Sequence, residues 1–297
     1  MIYQEISANK RNSVFLMMAV IALVCALGYI FSAAQGDTTY GGVWIAVIIS
    51  FGMTAISYFQ GDKIALWTSG ARPLEHDENK YVYHLVENLC ITSGLPMPKI
   101  YIMPDPAINA FATGRKPEMS SIALTTGAIE KLTNEELEGV IAHELSHVKN
   151  YDIRFMMLVA VMVGSISILS NIFLRSRFMF GGRSRDNNNG NIGAILTIVG
   201  VILAILSPLI AELIKLAVSR QREYLADASG ALLTRYPAGL ASALQKIAAD
   251  GQPMARASTA TAHLFISNPF GPGKKFSSLF STHPPVEERI KRLRAMS

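Results

Sequence analysis

The stretch Ile141-Ala142-His143-Glu144-Leu145-Ser146-His147-Val148 holds residues whose types and spacing suit chemistry. Two histidines four residues apart on a helix lie on one face, one turn above the other, so both can offer an imidazole nitrogen to a single metal ion. Glu144, next to the first histidine, can reach a water at that ion and take its proton, as in zinc-dependent hydrolysis. The plainer alternative is a solvated helix with a chance H-E-x-x-H, which this composition produces in about one such chain per hundred. A catalytic zinc site usually has three protein ligands and one open position, so a third ligand must come from elsewhere. The candidate is Glu223, in Ser219-Arg220-Gln221-Arg222-Glu223-Tyr224-Leu225-Ala226-Asp227. Asp227 follows one helical turn later and faces the same way, which suits the carboxylate that a zinc-bound histidine's other N–H normally finds. The alternative there is an ordinary charged helix face, with Arg220 and Arg222 neutralising the acids.

These residues need elements to position them. Thr133-Asn134-Glu135-Glu136 reads as a capping box, with Thr133 as N-cap and Glu136 reaching back. Leu137, Val140, Ile141 and Val148 then continue an apolar face at helical spacing. Upstream, an amphipathic helix is predicted over about 78–93, with Tyr81, Val82, Leu85, Val86 and Leu89 on one face and a stop at Gly94-Leu95-Pro96-Met97-Pro98. Short strands are predicted over 99–103, 109–113 and 121–125. Downstream, a helical pattern over about 216–233 stops near Pro237, a second helix covers about 238–249, and 267–275 reads as a loop. A last amphipathic helix begins at Pro284-Pro285, with Val286, Ile290 and Leu293 as its apolar stripe.

The chain has 297 residues, 50% of them hydrophobic and only 16% charged, against about 25% charged in soluble domains. That deficit predicts membrane spans. No charge occurs between Arg11 and Asp37, and the run is too long for a signal peptide's apolar region. Spans are expected at about 14–34, 41–60, 155–174 and 192–214, the last kinked by Pro208. None has an ionisable residue at its centre, which argues against a transporter or proton relay. The net charge of +5 suits an anionic lipid surface rather than nucleic acid. Cys25 and Cys90 form no C-x-x-C pair, so no disulfide framework is expected. Two spans separate the motif helix from the Glu223 segment, so 62–154 and 217–297 share one side of the membrane and can build one site. Lys10 and Arg11 place that side in the cytoplasm. The loop 175–191 disagrees, with Arg175, Arg177, Arg183 and Arg185 against Asp186: either it is carried across, or the last two segments do not fully span.

Taken together, these features resemble the HtpX-type membrane zinc metalloproteases, relatives of the CAAX prenyl proteases, over nearly the whole chain. The likeness rests on the paired N-terminal spans, Asn109-Ala110-Phe111-Ala112-Thr113-Gly114, His143-Glu144-Leu145-Ser146-His147, Arg222-Glu223-Tyr224-x-Ala226-Asp227 and Thr282-His283-Pro284-Pro285. It implies His143, His147 and Glu223 as ligands of one zinc ion per chain, with Glu144 as catalytic base. It also implies a bacterial inner-membrane endopeptidase that acts on damaged or misassembled membrane proteins under stress.

The expected fold is a multi-pass α-helical membrane protein with a cytoplasmic α+β zincin-like protease domain built from two chain segments. Its parts are a transmembrane hairpin (1–61), a first half-domain (62–154), a second transmembrane pair (155–216) and a second half-domain (217–297). At about 1.5 Å per helical residue, His147 lies roughly 12 Å from the third span, so cutting is expected in cytoplasmic loops and tails. His283, just before a proline-led helix start, is the candidate oxyanion donor beside the metal, with a surface loop histidine as its alternative. His84 and His263 read as ordinary histidines. Substrate is expected to add as a strand along Asn109, Ala110, Phe111 and Ala112, where backbone bonding tolerates many sequences. Membrane proteins, unfolded polypeptides and the chain itself are the expected substrates, with the bilayer as partner. Two other readings stand: a narrow-specificity peptide-processing protease, and a non-hydrolytic zinc-stabilised membrane scaffold. The scaffold needs no general base and would close the fourth metal position with a protein ligand.

Overall fold

A computed structural model describes residues 2–34, 41–162, 220–271 and 284–296. The uncharged N-terminal runs form two long helices, α1 (Ile2–Ala34) and α2 (Gly41–Thr68), which pack against each other. Within α2, Val43–Thr68 has a mean hydropathy of 1.6 and is the one helix among the described residues long and apolar enough to cross a membrane. Trp44, Ile48, Phe51 and Phe59 on α2, and Phe15 and Met18 on α1, are exposed. The predicted span at 155–174 begins inside a helix over 152–162 (α6), whose Phe155 and Leu158 are buried. The remainder of that span, the loop 175–191 and the span at 192–214 lie outside the described residues.

After α2 come β1 (Arg72–Pro73), α3 (Lys80–Ser93), β2 (Lys99–Met103), β3 (Ala110–Gly114), β4 (Ser120–Thr125), α4 (Thr126–Lys131) and α5 (Asn134–Lys149). The sheet order is β1-β2-β4-β3, with β4 parallel to β2 and antiparallel to β3. Strand alternation sorts the side chains onto two faces. Ile100, Ile102, Ala112, Ile122 and Leu124 join Val82, Val86 and Leu89 of α3 and Leu137, Ile141 and Leu145 of α5 in one apolar core. Met103, Phe111 and Ala123 point the other way, onto Ala65 and Leu66 of α2 and Met156 of α6. Each fully buried Leu, Ile, Val or Phe contributes about 1.5–3 kcal/mol, so the sheet is fixed from both sides.

The capping box at α5 is present: Glu136 Oε2 accepts from the Thr133 N–H at 2.8 Å, and Thr133 Oγ1 accepts from the Glu136 N–H at 3.4 Å. From Glu136 to Val148 the helix is buried except at Glu138, which rules out the solvated-helix alternative. The second half of the chain supplies α7 (Arg220–Thr234), α8 (Pro237–Asp250) and α9 (Val286–Arg294). Glu136 also ties α5 to α8, accepting from Ser242 Oγ at 2.6 Å and Lys246 Nζ at 2.7 Å. Two glycines let these helices come close. A Cβ at Gly230 would sit 3.0 Å from the backbone nitrogen of His143, and one at Gly139 would sit 2.8 Å from that of Leu240. Gly230 lies two turns beyond Glu223 on α7, so this crossing brings Glu223 against the histidine helix. Cys25 and Cys90 are both free.

Candidate metal centre

His143 and His147 project from one face of α5 with ring centroids 4.8 Å apart and rings at 90°. Their Nε2 atoms approach to 3.2 Å. Two nitrogens each 2.0–2.1 Å from one zinc ion at a tetrahedral angle would stand about 3.4 Å apart. Glu223 comes in from α7, with Oε1 3.6 Å from His147 Nε2 and Oε2 3.9 Å from His143 Nε2. The three donor atoms lie within 4.8 Å of one another, and all three residues are buried.

A carboxylate stands behind each imidazole. His147 Nδ1 and Asp152 Oδ2 form a 3.0 Å hydrogen bond. His143 Nδ1 lies 3.0 Å from Asp227 Oδ1, out of line for a well-formed bond. Asp227 is gripped by Arg289 of α9, whose Nε donates to Oδ2 at 2.8 Å and whose Nη2 donates to Oδ1 at 2.7 Å. Arg289 Nη1 also donates to the Ile266 carbonyl at 3.2 Å and lies 3.5 Å from Glu223 Oε2. Among the described residues, Glu144, Asp152, Glu223 and Asp227 are all buried together, against Arg289 and the protonated form of His147. Isolated buried carboxylates are costly, and a divalent cation offsets this excess of negative charge. Donor types, spacing and charge all fit zinc.

Electrostatics separate the groups. Burial pushes the Glu144 carboxyl up to about 7, with Glu223 adding and His147 opposing, while the Ala112 backbone N–H hydrogen-bonds to it. Burial also works against the charged form of His147, but its bond to Asp152 and the nearby Glu223 more than reverse this and raise it to about 9. His143 moves down: burial dominates, and contact with Asp227 only partly compensates. Asp227 is held at about 2, because the Arg289 fork overcomes the effect of burial.

Of the residues singled out from sequence, His143, Glu144, His147, Glu223 and Asp227 come together. His283 lies outside the described residues. His263 is a core histidine whose Nε2 lies 2.9 Å from the Met156 carbonyl, and His84 is exposed near Glu87. The predicted substrate strand is narrower than expected. Asn109 precedes the strand: its side chain accepts from the Ala110 N–H at 3.0 Å and donates to the Ser267 carbonyl at 3.2 Å. Ile266 donates to the Ala110 carbonyl at 2.9 Å, and the Phe111 ring packs on Phe265 with centroids 5.0 Å apart. The chain's own 265–266 segment thus occupies the start of the outer edge. Among the described residues, only 112–114 have no segment bridged along that edge.

Residue type and spacing do not single out Arg289 and Asp152. Arg289 left a readable sign, since it interrupts the apolar stripe of Val286, Ile290 and Leu293 on α9. Asp152 left none, because it returns to His147 only through a left-handed turn at Tyr151 (φ 61°).

Residues 76–297 match the family model described as Peptidase family M48. Among curated relatives, the chain is 45% identical over 295 residues to "Protease HtpX homolog" of Caldanaerobacter subterraneus subsp. tengcongensis, covering 99% of this chain and 97% of that one. It is 47% identical over 298 residues to the protein of the same name from Dictyoglomus thermophilum, covering 99% and 94%. Among solved structures, the crystal structure of S. mikatae Ste24p matches with a TM-score of 0.53 at 20% identity, covering 98% of this chain and 67% of that one. That last likeness is one of fold.

Proposed function

The chain belongs to peptidase family M48, in its HtpX-type group, and on that footing we propose that it is a zinc endopeptidase of the bacterial inner membrane, cleaving cytoplasmic parts of damaged or misassembled membrane proteins. Membership makes it a membrane-associated metalloprotease. The finer reading draws support from one observation above all: two Nε2 atoms 3.2 Å apart, a carboxylate from a second helix facing both, and Glu144 buried beside them.

His143, His147 and Glu223 would hold the zinc. When bound, the ion supplies Lewis acidity and makes a water acidic near neutral pH. The Glu144 carboxylate accepts the proton of the attacking water and delivers it to the departing amine nitrogen. Its carboxyl is buried beside the donor atoms, within reach of a water held there. Residues 112–114 offer extended backbone to an incoming peptide, with a sequence tolerance that fits quality control. The exposed apolar residues of α1 and α2 supply membrane-facing surface, and Lys10 and Arg11 favour a cytoplasmic site.

Metal analysis beside casein cleavage by the detergent-solubilised protein tests this. Glu144→Gln should keep zinc and lose proteolysis, whereas Glu223→Ala should lose both. Wild-type cleavage by the first variant, or stoichiometric zinc in the second, would overturn the assignment.

A further inference from the structure

Between α5 and α6 the chain turns at Tyr151, whose φ of 61° is left-handed, a conformation rare for a bulky side chain and held only by surrounding contacts. The Tyr151 N–H donates to the Val148 carbonyl at 3.2 Å, and further contacts come from α1. The Asn9 side-chain amide donates to the Asn150 carbonyl at 3.0 Å and to Asp152 Oδ1 at 2.6 Å, and Lys10 Nζ lies 4.3 Å from the centre of the Tyr151 ring. Both neighbours of that amide are acceptors, so its nitrogen must face them. The other Asp152 oxygen is the one bonded to His147 Nδ1. Asn9, Asp152 and His147 are all buried, at 1%, 2% and 4% exposure. Ser13 and Leu16 continue the same face of α1, Ser13 donating to the Asn9 carbonyl at 2.8 Å and Leu16 packing on Phe155 and Leu158.

We propose that the N-terminal helix is a working part of the metal centre: Asn9 is a positioning residue that fixes Asp152 and, through it, the His147 ring for zinc. The inference rests on the zinc-peptidase reading. A carboxylate held at one oxygen alone can swing. With Asn9 on its second oxygen, and the preceding carbonyl tied to the same amide, Asp152 is locked in the orientation that fixes the His147 tautomer. Asn9 does this without bringing another charge into the site. The helix is therefore more than an anchor, because the Asn9 side chain it carries sets how well the site holds metal.

The test is a double-mutant cycle on zinc affinity, measured in the full-length detergent-solubilised protein by competition with a chromogenic chelator, with thermal unfolding alongside. Loss of a ligand's outer partner weakens metal binding about 10–100-fold, and Asp152→Ala should fall there. Asn9→Ala, one contact further from the metal, should weaken binding by about 3–10-fold, below the range for a ligand's direct outer partner. The double variant should bind no more weakly than Asp152→Ala alone. Leu16→Ala, which loosens the same helix face without touching the turn, should lower stability and leave zinc affinity unchanged. Asn9→Leu, close in size, uncharged and without the N–H donors, repeats the test if the alanine variant fails to fold. Wild-type affinity in the folded Asn9 variant, or a loss that simply adds to that of Asp152→Ala, would overturn the inference. A wild-type protein that holds no zinc would overturn the underlying reading as well.

Discussion

His147 is oriented by Asp152, five residues further along the same stretch. His143 lies against Asp227 of α7, with Nδ1 3.0 Å from Oδ1, and Asp227 is in turn held by Arg289 of α9. The two ends of the site thus use one design, imidazole to carboxylate to outer donor, assembled in two ways. At the His147 end the carboxylate is bonded by a neutral amide, with Arg222 Nε more distant at 3.8 Å. Its charge remains available to the ring, and His147 rises to about 9. At the His143 end a buried guanidinium forks onto the carboxylate, and burial prevails, so the ring's pKa falls. One turn of helix therefore separates two candidate ligands whose surroundings push their pKa values in opposite directions. The difference shows that a motif fixes donor spacing, while the partners behind the donors fix their protonation.

The strongest way to break the comparison is at the His143 end. Arg289→Met leaves Asp227 charged, buried and unpaired, and such truncations cost about 3–5 kcal/mol. Unfolding should show that loss, with zinc affinity down about 10–100-fold. Adding Asp227→Leu should restore much of the stability, since apolar groups replace buried pairs well, but not the zinc affinity. Recovery of zinc binding in the double variant would mean that His143 needs no outer carboxylate.

The His147 end is sharpened by pH. Its folded pKa of about 9 stands above the ordinary value near 6.5. The stability it adds to the metal-free protein is full below pH 6.5 and is lost as the pH rises through about 9. Chelator-treated protein should melt progressively lower across that window, and Asp152→Asn should flatten the fall. An unchanged slope would show that Asp152 does not hold the proton.

The smallest effect should come from Thr133→Ala at the start of α5, outside both ends. Losing that cap should cost about 1 kcal/mol of stability and leave zinc affinity as it was. A clear loss of zinc would mean that the whole helix, rather than its outer partners, sets the ligand geometry.

Much of the domain was legible because its signals are local. The capping box at Thr133, the proline and glycine stops, and the alternation of Ile100, Ile102, Ile122 and Leu124 each follow from backbone preferences over a few residues. Strand bounds came within a residue. Asn109 misled because an asparagine side chain bonding the next amide imitates a strand start while ending the pairing. Phe111, expected in a substrate edge, packs on Phe265 from more than a hundred residues away, a contact that no local period encodes.

The sequence by itself determined the chemistry we propose: which side chains can donate to a metal, which carboxylate stands beside them as a candidate base, and that two helices must meet to complete the set. These follow from residue type and helical spacing, properties that survive without knowledge of the fold. Only the tertiary structure decided what stands behind the donors. Gly230 against His143 sets how closely α7 approaches, the left-handed turn at Tyr151 brings Asp152 back, and Arg289 and Asn9 arrive from opposite ends of the chain. Hydrogen bonds and buried charges are directional and short-ranged, so their partners exist only once distant segments have packed.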